Sequence, residues 1–171
     1  MMLQPNPGRK HNSATKLVLI INGPPGAGKS STAAAVTDAV DSASLVEVDD
    51  LRDRPRSGPS MSAFEADART ACRTIKSQLY HADVVVVTDI LTQNILDTYR
   101  THLDCRIGTV TVLPSLETCL KRLQGRRSRL EPQRVATVHA LVVSQPFGVV
   151  LDDELLSPAE NAQVIVKRLG L

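Results

Sequence analysis

The stretch LVLIINGPPGAGKS, from Leu17 to Ser30, decides the fold of this 171-residue chain. Its first part is apolar without interruption up to Asn22, which is typical of a strand buried on both faces of a parallel sheet. Its second part fits G-x-x-x-x-G-K-[ST] at every defined position, and a stretch with helical spacing follows, from Lys29 to about Val40. A strand, a glycine-rich turn and a helix in this order predict a loop that binds the phosphates of a nucleoside triphosphate.

Each residue type in this loop has a separate chemical task. Glycines let the backbone curl so that successive N–H groups point at an anion, and the helix that follows adds its positive dipole end. Lys29 supplies a mobile positive charge for the β- and γ-phosphates and is a predicted catalytic residue, whereas the hydroxyl of Ser30 is a predicted ligand of Mg²⁺. The nucleotide, most simply Mg-ATP, is expected to contact Gly23, Pro24, Pro25, Gly26, Ala27, Gly28, Lys29, Ser30 and Ser31.

Short β-branched runs alternate with longer stretches of helical spacing along the rest of the chain. Strands are predicted at 17–21, 44–48, 84–87, 106–113 and 149–151, with a helix after each and a second helix, 133–144, before the last strand. This alternation predicts an α/β domain of three layers, with a five-stranded, mostly parallel sheet between helices. Residues 1–15 precede the first apolar run and are interpreted as a flexible extension.

Carboxylates follow two of the predicted strands. Asp49 and Asp50 come after the second strand, and Asp89 ends the third. In an open α/β sheet the ligand lies at the carboxyl ends of the strands, so these acids are expected near the phosphate loop. Asp49 is the predicted catalytic base that accepts the proton of an acceptor hydroxyl, and Asp89 is the second predicted ligand of Mg²⁺. A solvated loop aspartate or a helix cap is the alternative at each position.

Two groups of arginines are candidates for anion binding. Lys121, Arg122, Arg126, Arg127 and Arg129 fall within nine residues and predict a basic lid at about 122–132, with Arg122 on the nucleotide and Arg126 neutralising charge on the transferred phosphoryl group. A solvated basic face is the alternative. The earlier Arg52, Arg54 and Arg56 either bind an anionic acceptor or form a solvent-exposed loop.

The composition excludes several partners. Aromatic residues make up only 2% of the chain and Trp is absent, which disfavours a platform for single-stranded nucleic acid. The formal charge of +2 is too small to imply a polyanion, and no stretch reaches the length of about 18 apolar residues that a membrane span needs. Three widely spaced cysteines form no metal or disulfide pattern, as expected of a cytoplasmic protein. We predict neither a nucleic-acid nor a membrane partner; a homo-oligomer is compatible with the sequence.

With these motifs in place, residues 16–171 resemble a single domain of the small P-loop kinases, an AAA-type and shikimate-kinase-like group with the P-loop NTPase fold. Within that group the chain is most similar to the chloramphenicol phosphotransferase-like kinases. The similarity rests on Ile21 to Gly23, Val48 to Leu51, Val84 to Ile90, the helix after Pro132, and Phe147 to Leu151.

The resemblance implies transfer of the γ-phosphate of ATP to a hydroxyl group of a small molecule, such as an antibiotic or a metabolite. Asp49 corresponds to the base of that family. The basic loop at 52–56 and the arginine-rich lid depart from the antibiotic kinase, which leaves the acceptor open. The alternatives are a nucleoside or nucleotide kinase, in which Arg52, Arg54 or Arg56 binds an acceptor phosphate, and a nucleotide-binding switch without catalysis.

Overall fold

A computed structural model describes residues 16–51, 61–126, 128, 130–151, 154 and 156–171, with the backbone alone at 61–63. Along these residues strands and helices follow in the order β1 Leu17–Asn22, α1 Lys29–Ala39, β2 Ala43–Glu47, α2 Met61–Gln78, β3 Val84–Asp89, α3 Gln93–His102, β4 Arg106–Val112, α4 Leu116–Gly125, α5 Pro132–Ser144, β5 Val149–Leu151 and α6 Pro158–Leu169. A 3₁₀ segment, Val48–Leu51, follows β2 directly.

Three predictions concern residues outside this description. They are the extension at 1–15, the basic loop with Arg52, Arg54 and Arg56, and the lid arginines Arg127 and Arg129. The division into an extension and one domain stays a prediction.

The strands form a parallel sheet in the order β2-β3-β1-β4-β5. Every residue of β1 and β3 is buried, because both strands lie inside the sheet and are covered on both faces. This burial explains why their sequences are continuous apolar runs instead of alternating ones. The predicted α/β fold with a five-stranded sheet is confirmed.

Alternate residues of β1 point to two separate cores. Val18 and Ile20 pack in one cluster with residues of α2 and α3, whereas Leu19 and Ile21 pack in a second cluster with residues of α1 and α6. Side chains along a strand alternate between its faces, so one strand contributes to both cores. The two clusters give the three layers that the sequence predicts.

The register of the sheet brings the ends of three strands to one edge. Asn22, the last residue of β1, pairs with Asp89 of β3 on one side and with Thr111 of β4 on the other. The strands that follow β1 divide here, since β2 and β3 lie to one side of it and β4 and β5 to the other. Ligands of open α/β sheets bind at such a switch point, outside the carboxyl ends of the strands.

The end of α4 carries the first part of the predicted lid. The helix continues through Gly125 and Arg126 is its C-cap residue, so both Arg122 and Arg126 belong to this helix and its cap. The N–H of Arg126 donates to the carbonyl of Arg122, a backbone bond that periodicity of apolar residues cannot reveal. Within the part of the chain that the structure describes, no helix combines the length and hydropathy needed to cross a bilayer.

Candidate functional site

The loop between β1 and α1 depends on two glycines with left-handed backbone conformations. Gly26 has a φ of 80° and Gly28 a φ of 100°, values that other residues adopt only with strain. Gly28 is also the N-cap residue of α1, and a glycine has no side chain that could accept a hydrogen bond from the first turn. The first amides of α1 are therefore not capped by their own N-cap residue, which suits the binding of an anion at this helix start.

Gly26 further allows α4 to pack directly against the loop. A Cβ atom built on Gly26 would lie 2.5 Å from the carbonyl oxygen of Cys119 and 3.0 Å from the side chain of Leu123. In addition, the Arg122 guanidinium donates to the carbonyl of Ala27 at 3.1 Å. The helix that carries the predicted lid arginines is thus held on the phosphate loop by its own backbone and by Arg122.

Lys29 is tied back onto the loop that it belongs to. Its ammonium donates to the carbonyl oxygens of Gly23 at 2.8 Å and Pro24 at 3.2 Å. Burial lowers the pKa of Lys29, and the carboxylates of Asp49 and Asp89 act in the opposite direction by favouring its charged form. The predicted loop lysine and the two predicted acids are therefore close enough to interact.

Asp49 and Asp89 differ in exposure. Asp49 lies in the 3₁₀ segment after β2 and is exposed, as is its neighbour Asp50. Asp89 ends β3 and is only 6% exposed. An exposed carboxylate can meet an incoming hydroxyl, whereas a buried one needs protein partners that stabilise its charge.

Asp89 receives such partners from two elements. The backbone N–H of Ile90 donates to its Oδ1 at 2.7 Å, and the hydroxyl of Tyr99 on α3 donates to its Oδ2 at 2.8 Å. Burial and the nearby Asp89 charge raise the pKa of Tyr99, so its hydroxyl stays protonated and acts as the donor. In the sequence, Tyr99 stands at helical spacing between the apolar residues Ile95 and Leu103, so that only its hydroxyl distinguishes it from a core residue.

A cavity of about 470 Å³ lies beside the loop, on the side of α4. Its lining combines the start of α1, the two predicted arginines of α4 and the segment before α6, namely Gly28, Ser31, Arg122, Arg126, Glu154, Leu156, Ser157 and Pro158. Predicted nucleotide-binding residues from two distant parts of the sequence therefore meet in one cavity. The contribution of Glu154, Leu156, Ser157 and Pro158 was not predicted.

Glu154 fixes that segment against α4. Its Oε1 accepts a hydrogen bond from the backbone N–H of Ser115, the N-cap residue of α4, at 2.8 Å. Hydrogen bonds from Ser115, with smaller contributions from Thr118 and Arg122, lower the pKa of Glu154 and keep it negatively charged. A single glutamate in a polar loop carries no motif, so no sequence signal pointed to it.

A buried polar network supports the entry to the loop. The side chain of Asn22 donates to Thr111 Oγ1 at 3.1 Å and accepts from the N–H of Leu91 at 2.9 Å. Thr111 Oγ1 in turn accepts from the N–H of Phe147 at 2.9 Å and donates to its carbonyl at 2.8 Å. Because the hydroxyl of Thr111 uses its donor and both acceptor positions, the network ties the loop residues Leu91 and Phe147 to the ends of β1 and β4.

The predicted ligands of Mg²⁺ are Ser30, exposed in the first turn of α1, and Asp89, buried at the end of β3. Mg²⁺ prefers oxygen ligands and keeps several waters, so one hydroxyl and one carboxylate suit an ion that arrives on a nucleotide. Among the described residues, no group of three or more His, Cys, Asp or Glu could hold a metal by itself. The donor set therefore fits Mg²⁺ shared with phosphates.

Residues 18–141 match a protein family described as an AAA domain. The chain belongs to this family. The matched part begins in β1 and ends in α5, so it contains the phosphate loop, both acidic strand ends and α4. Among proteins of curated function, none matches the chain.

Solved structures of other proteins share the fold over nearly their whole length. The tunicamycin resistance protein of Deinococcus radiodurans has a TM-score of 0.69 at 16% identity, over 91% of this chain and 96% of that one. A sugar kinase from a Janibacter species has a TM-score of 0.70 at 16% identity, over 91% and 95%. The APS kinase of Mycobacterium tuberculosis, in complex with AMPPNP and APS, has a TM-score of 0.62 at 18% identity, over 92% and 99%. The family match and these shared folds confirm the P-loop domain fold that the resemblance implies.

Proposed function

We propose that this chain is a kinase that transfers the γ-phosphate of Mg-ATP to a hydroxyl group of a small molecule. The observation that carries the proposal is the position of Lys29, whose ammonium lies on the phosphate loop, where the carboxylates of Asp49 and Asp89 both favour its charged form. The cation that would hold the donor phosphates therefore lies in the neighbourhood of the acids that would serve the acceptor and the metal. A loop that only binds a nucleotide does not need an exposed acid such as Asp49 at this place.

The donor side uses the loop and the cavity beside it. The amides at the start of α1 and Lys29 would hold the β- and γ-phosphates, and the cavity between Ser31, Arg122 and Pro158 would take the rest of the nucleotide. Arg122 and Arg126 would stabilise charge on the transferred group. Ser30 and Asp89 would hold Mg²⁺, which would supply positive charge against the charge that develops during transfer.

The acceptor side depends on Asp49. Its carboxylate is exposed at the end of β2, where an acceptor hydroxyl can approach the phosphate loop. Asp49 would orient this hydroxyl and accept its proton as the oxygen attacks the γ-phosphorus, while the bond from that phosphorus to the bridging oxygen breaks and ADP leaves with the electron pair. A general base of this kind contributes about 10²–10⁴ in rate.

The similar structures support the donor and suggest the range of acceptors. One is an APS kinase in complex with AMPPNP, and two others are a sugar kinase and a tunicamycin resistance protein. We therefore infer ATP as donor and a hydroxyl-bearing sugar, antibiotic or nucleoside as acceptor.

The test is a search for a phosphorylated product. The protein is incubated with Mg-ATP and a pooled library of sugars, nucleosides, nucleoside monophosphates and antibiotics that includes tunicamycin, and mass spectrometry identifies any compound that gains one phosphoryl group. We expect Asp49→Asn to lose product formation by about 10²–10⁴ without losing ATP binding, whereas Asp50→Asn, the same change at the adjacent exposed residue, keeps it.

Two results would contradict the proposal. Slow release of ADP without any phosphorylated compound would favour a nucleotide-binding switch. Full activity of Asp49→Asn would show that Asp49 is not the base, even if the protein is a kinase.

A further inference from the structure

Packing alone does not explain why a tyrosine hydroxyl is buried against Asp89. Tyr99 is fully buried on the inner face of α3, among aliphatic residues such as Ile95 and Val87. A phenylalanine would fill the same volume without carrying a hydroxyl into the core, where an unbonded one costs free energy. The hydroxyl instead donates a hydrogen bond to the carboxylate of Asp89. Asp89 is the last residue of β3 and pairs with Asn22, which leads into the phosphate loop.

We propose that Tyr99 is a positioning residue, whose hydroxyl orients the carboxylate of Asp89 toward the Mg²⁺ of the bound nucleotide. The proposal rests on the proposed function in so far as that function brings Mg-ATP to the loop. Tyr99 touches neither metal nor substrate in this scheme and acts through Asp89.

The geometry shows how this orientation is achieved. Ile90 N–H holds Oδ1 and Tyr99 O–H holds Oδ2, so each carboxylate oxygen has a donor from a different element. The first donor belongs to the residue next to Asp89 and moves with it, whereas the second is anchored in the core by the whole of α3. The hydrogen bond from Tyr99 therefore ties the rotation of the carboxylate to the position of α3.

A carboxylate held in this way can still contact a cation, because each of its oxygens can accept two hydrogen bonds or ligand contacts. Residues that hydrogen-bond to a metal ligand, without touching the metal, typically raise metal affinity by about 10- to 100-fold. We expect an effect of that size from the loss of this one hydroxyl.

The experiment measures how much Mg²⁺ improves nucleotide binding. The dissociation constant of AMPPNP is determined by calorimetry with EDTA and with saturating Mg²⁺, and the ratio of the two is the gain due to the metal. In Tyr99→Phe this gain should fall by about 10-fold or more, while the constant in EDTA stays unchanged. Tyr80→Phe removes the other tyrosine hydroxyl, which is on the surface, and should leave both constants as in the wild type.

A double-mutant cycle separates positioning from a general structural role. If Tyr99 acts through Asp89, Tyr99→Phe should have no further effect on the gain in the Asp89→Asn background. The proposal would be overturned if Tyr99→Phe left the gain due to Mg²⁺ unchanged. It would also be overturned if Tyr99→Phe lowered that gain equally in the wild-type and Asp89→Asn backgrounds.

A second measurement needs no substitution at Tyr99. The chain has two tyrosines, so protein labelled with fluorotyrosine gives two fluorine resonances. Adding Mg²⁺ to the AMPPNP complex should shift the Tyr99 resonance and not that of Tyr80, and the shift should vanish in Asp89→Asn. If the fluorine resonance of Tyr99 does not shift when Mg²⁺ is added, the positioning role is refuted. Because these measurements need only nucleotide binding, they stand even if no acceptor is found, and a failure here leaves the kinase test intact.

Discussion

Replacing Gly26 by alanine should both destabilise the protein and weaken nucleotide binding. Gly26 has a φ of 80°, and a Cβ atom there would lie 2.5 Å from the carbonyl oxygen of Cys119. That oxygen belongs to the backbone of α4 and cannot rotate away as a side chain would. The loop and α4 must therefore separate, and the loop must leave the conformation that presents its amides.

The size of the effect follows from two costs and one gain. An L-residue in the left-handed region costs about 1–2 kcal/mol. Forcing a methyl group into a packed contact costs a further 1–3 kcal/mol or so. Alanine also restricts the unfolded chain, which stabilises the folded protein by about 0.4–1 kcal/mol and offsets part of these costs. The free energy of unfolding should thus fall by about 1–5 kcal/mol, with a central value of about 3 kcal/mol that domains of ordinary stability survive.

Urea unfolding measures this loss, and Gly125→Ala is its matched control. Gly125 is the last residue of α4, and a Cβ atom built there has no neighbour within 4 Å. The same substitution should stabilise the helix at that position by about 0.5–1 kcal/mol, because alanine restricts the unfolded chain more than glycine. The free energy of unfolding should therefore fall in Gly26→Ala and rise in Gly125→Ala.

Binding of AMPPNP completes the assay. Displacing even one amide that bonds a phosphate costs about 1.5–3 kcal/mol, or about a 10- to 100-fold loss of affinity. A Gly26→Ala protein that unfolds at the wild-type urea concentration and binds AMPPNP as tightly would refute the reasoning, since neither the strain nor the contact with α4 would then be real.

Three further substitutions test the surroundings of the loop. Arg122→Lys should weaken AMPPNP binding by about 10-fold in calorimetry, because an ammonium cannot both reach the Ala27 carbonyl and present a planar face to the cavity; unchanged affinity would exclude Arg122 from the nucleotide site. Asn22→Ala should lower the free energy of unfolding by about 1–3 kcal/mol, since it leaves the buried N–H of Leu91 without its acceptor. The exposed Asn94→Ala should change it by less than about 0.5 kcal/mol, and equal losses from the two would contradict the role of the network. Ser157→Ala removes the capping box of α6 and should cost about 1 kcal/mol in thermal or urea unfolding, whereas no loss would mean that Glu160 caps the helix alone.

The sequence by itself determined the fold and the phosphate loop. The strand, the loop and the first helix occupy one continuous stretch from Leu17 to Ala39, so their pattern depends on neighbours within a few residues. The alternation of strands and helices predicted the layers for the same reason. The carboxylates at Asp49 and Asp89 could be located because parallel strands end at one edge of a sheet, which needs no knowledge of strand order.

Only the tertiary structure decided which side chains meet. Arg122 reaches Ala27, 95 positions away, because α4 packs on Gly26. Tyr99 looks like one more core residue in the periodic pattern, and becomes the partner of Asp89 when α3 folds back on the sheet. Such pairings depend on the order and register of the strands, which no local pattern encodes. The phosphate loop can therefore be recognised in the sequence, whereas the positions of Arg122 and Tyr99 beside it depend on how the helices pack.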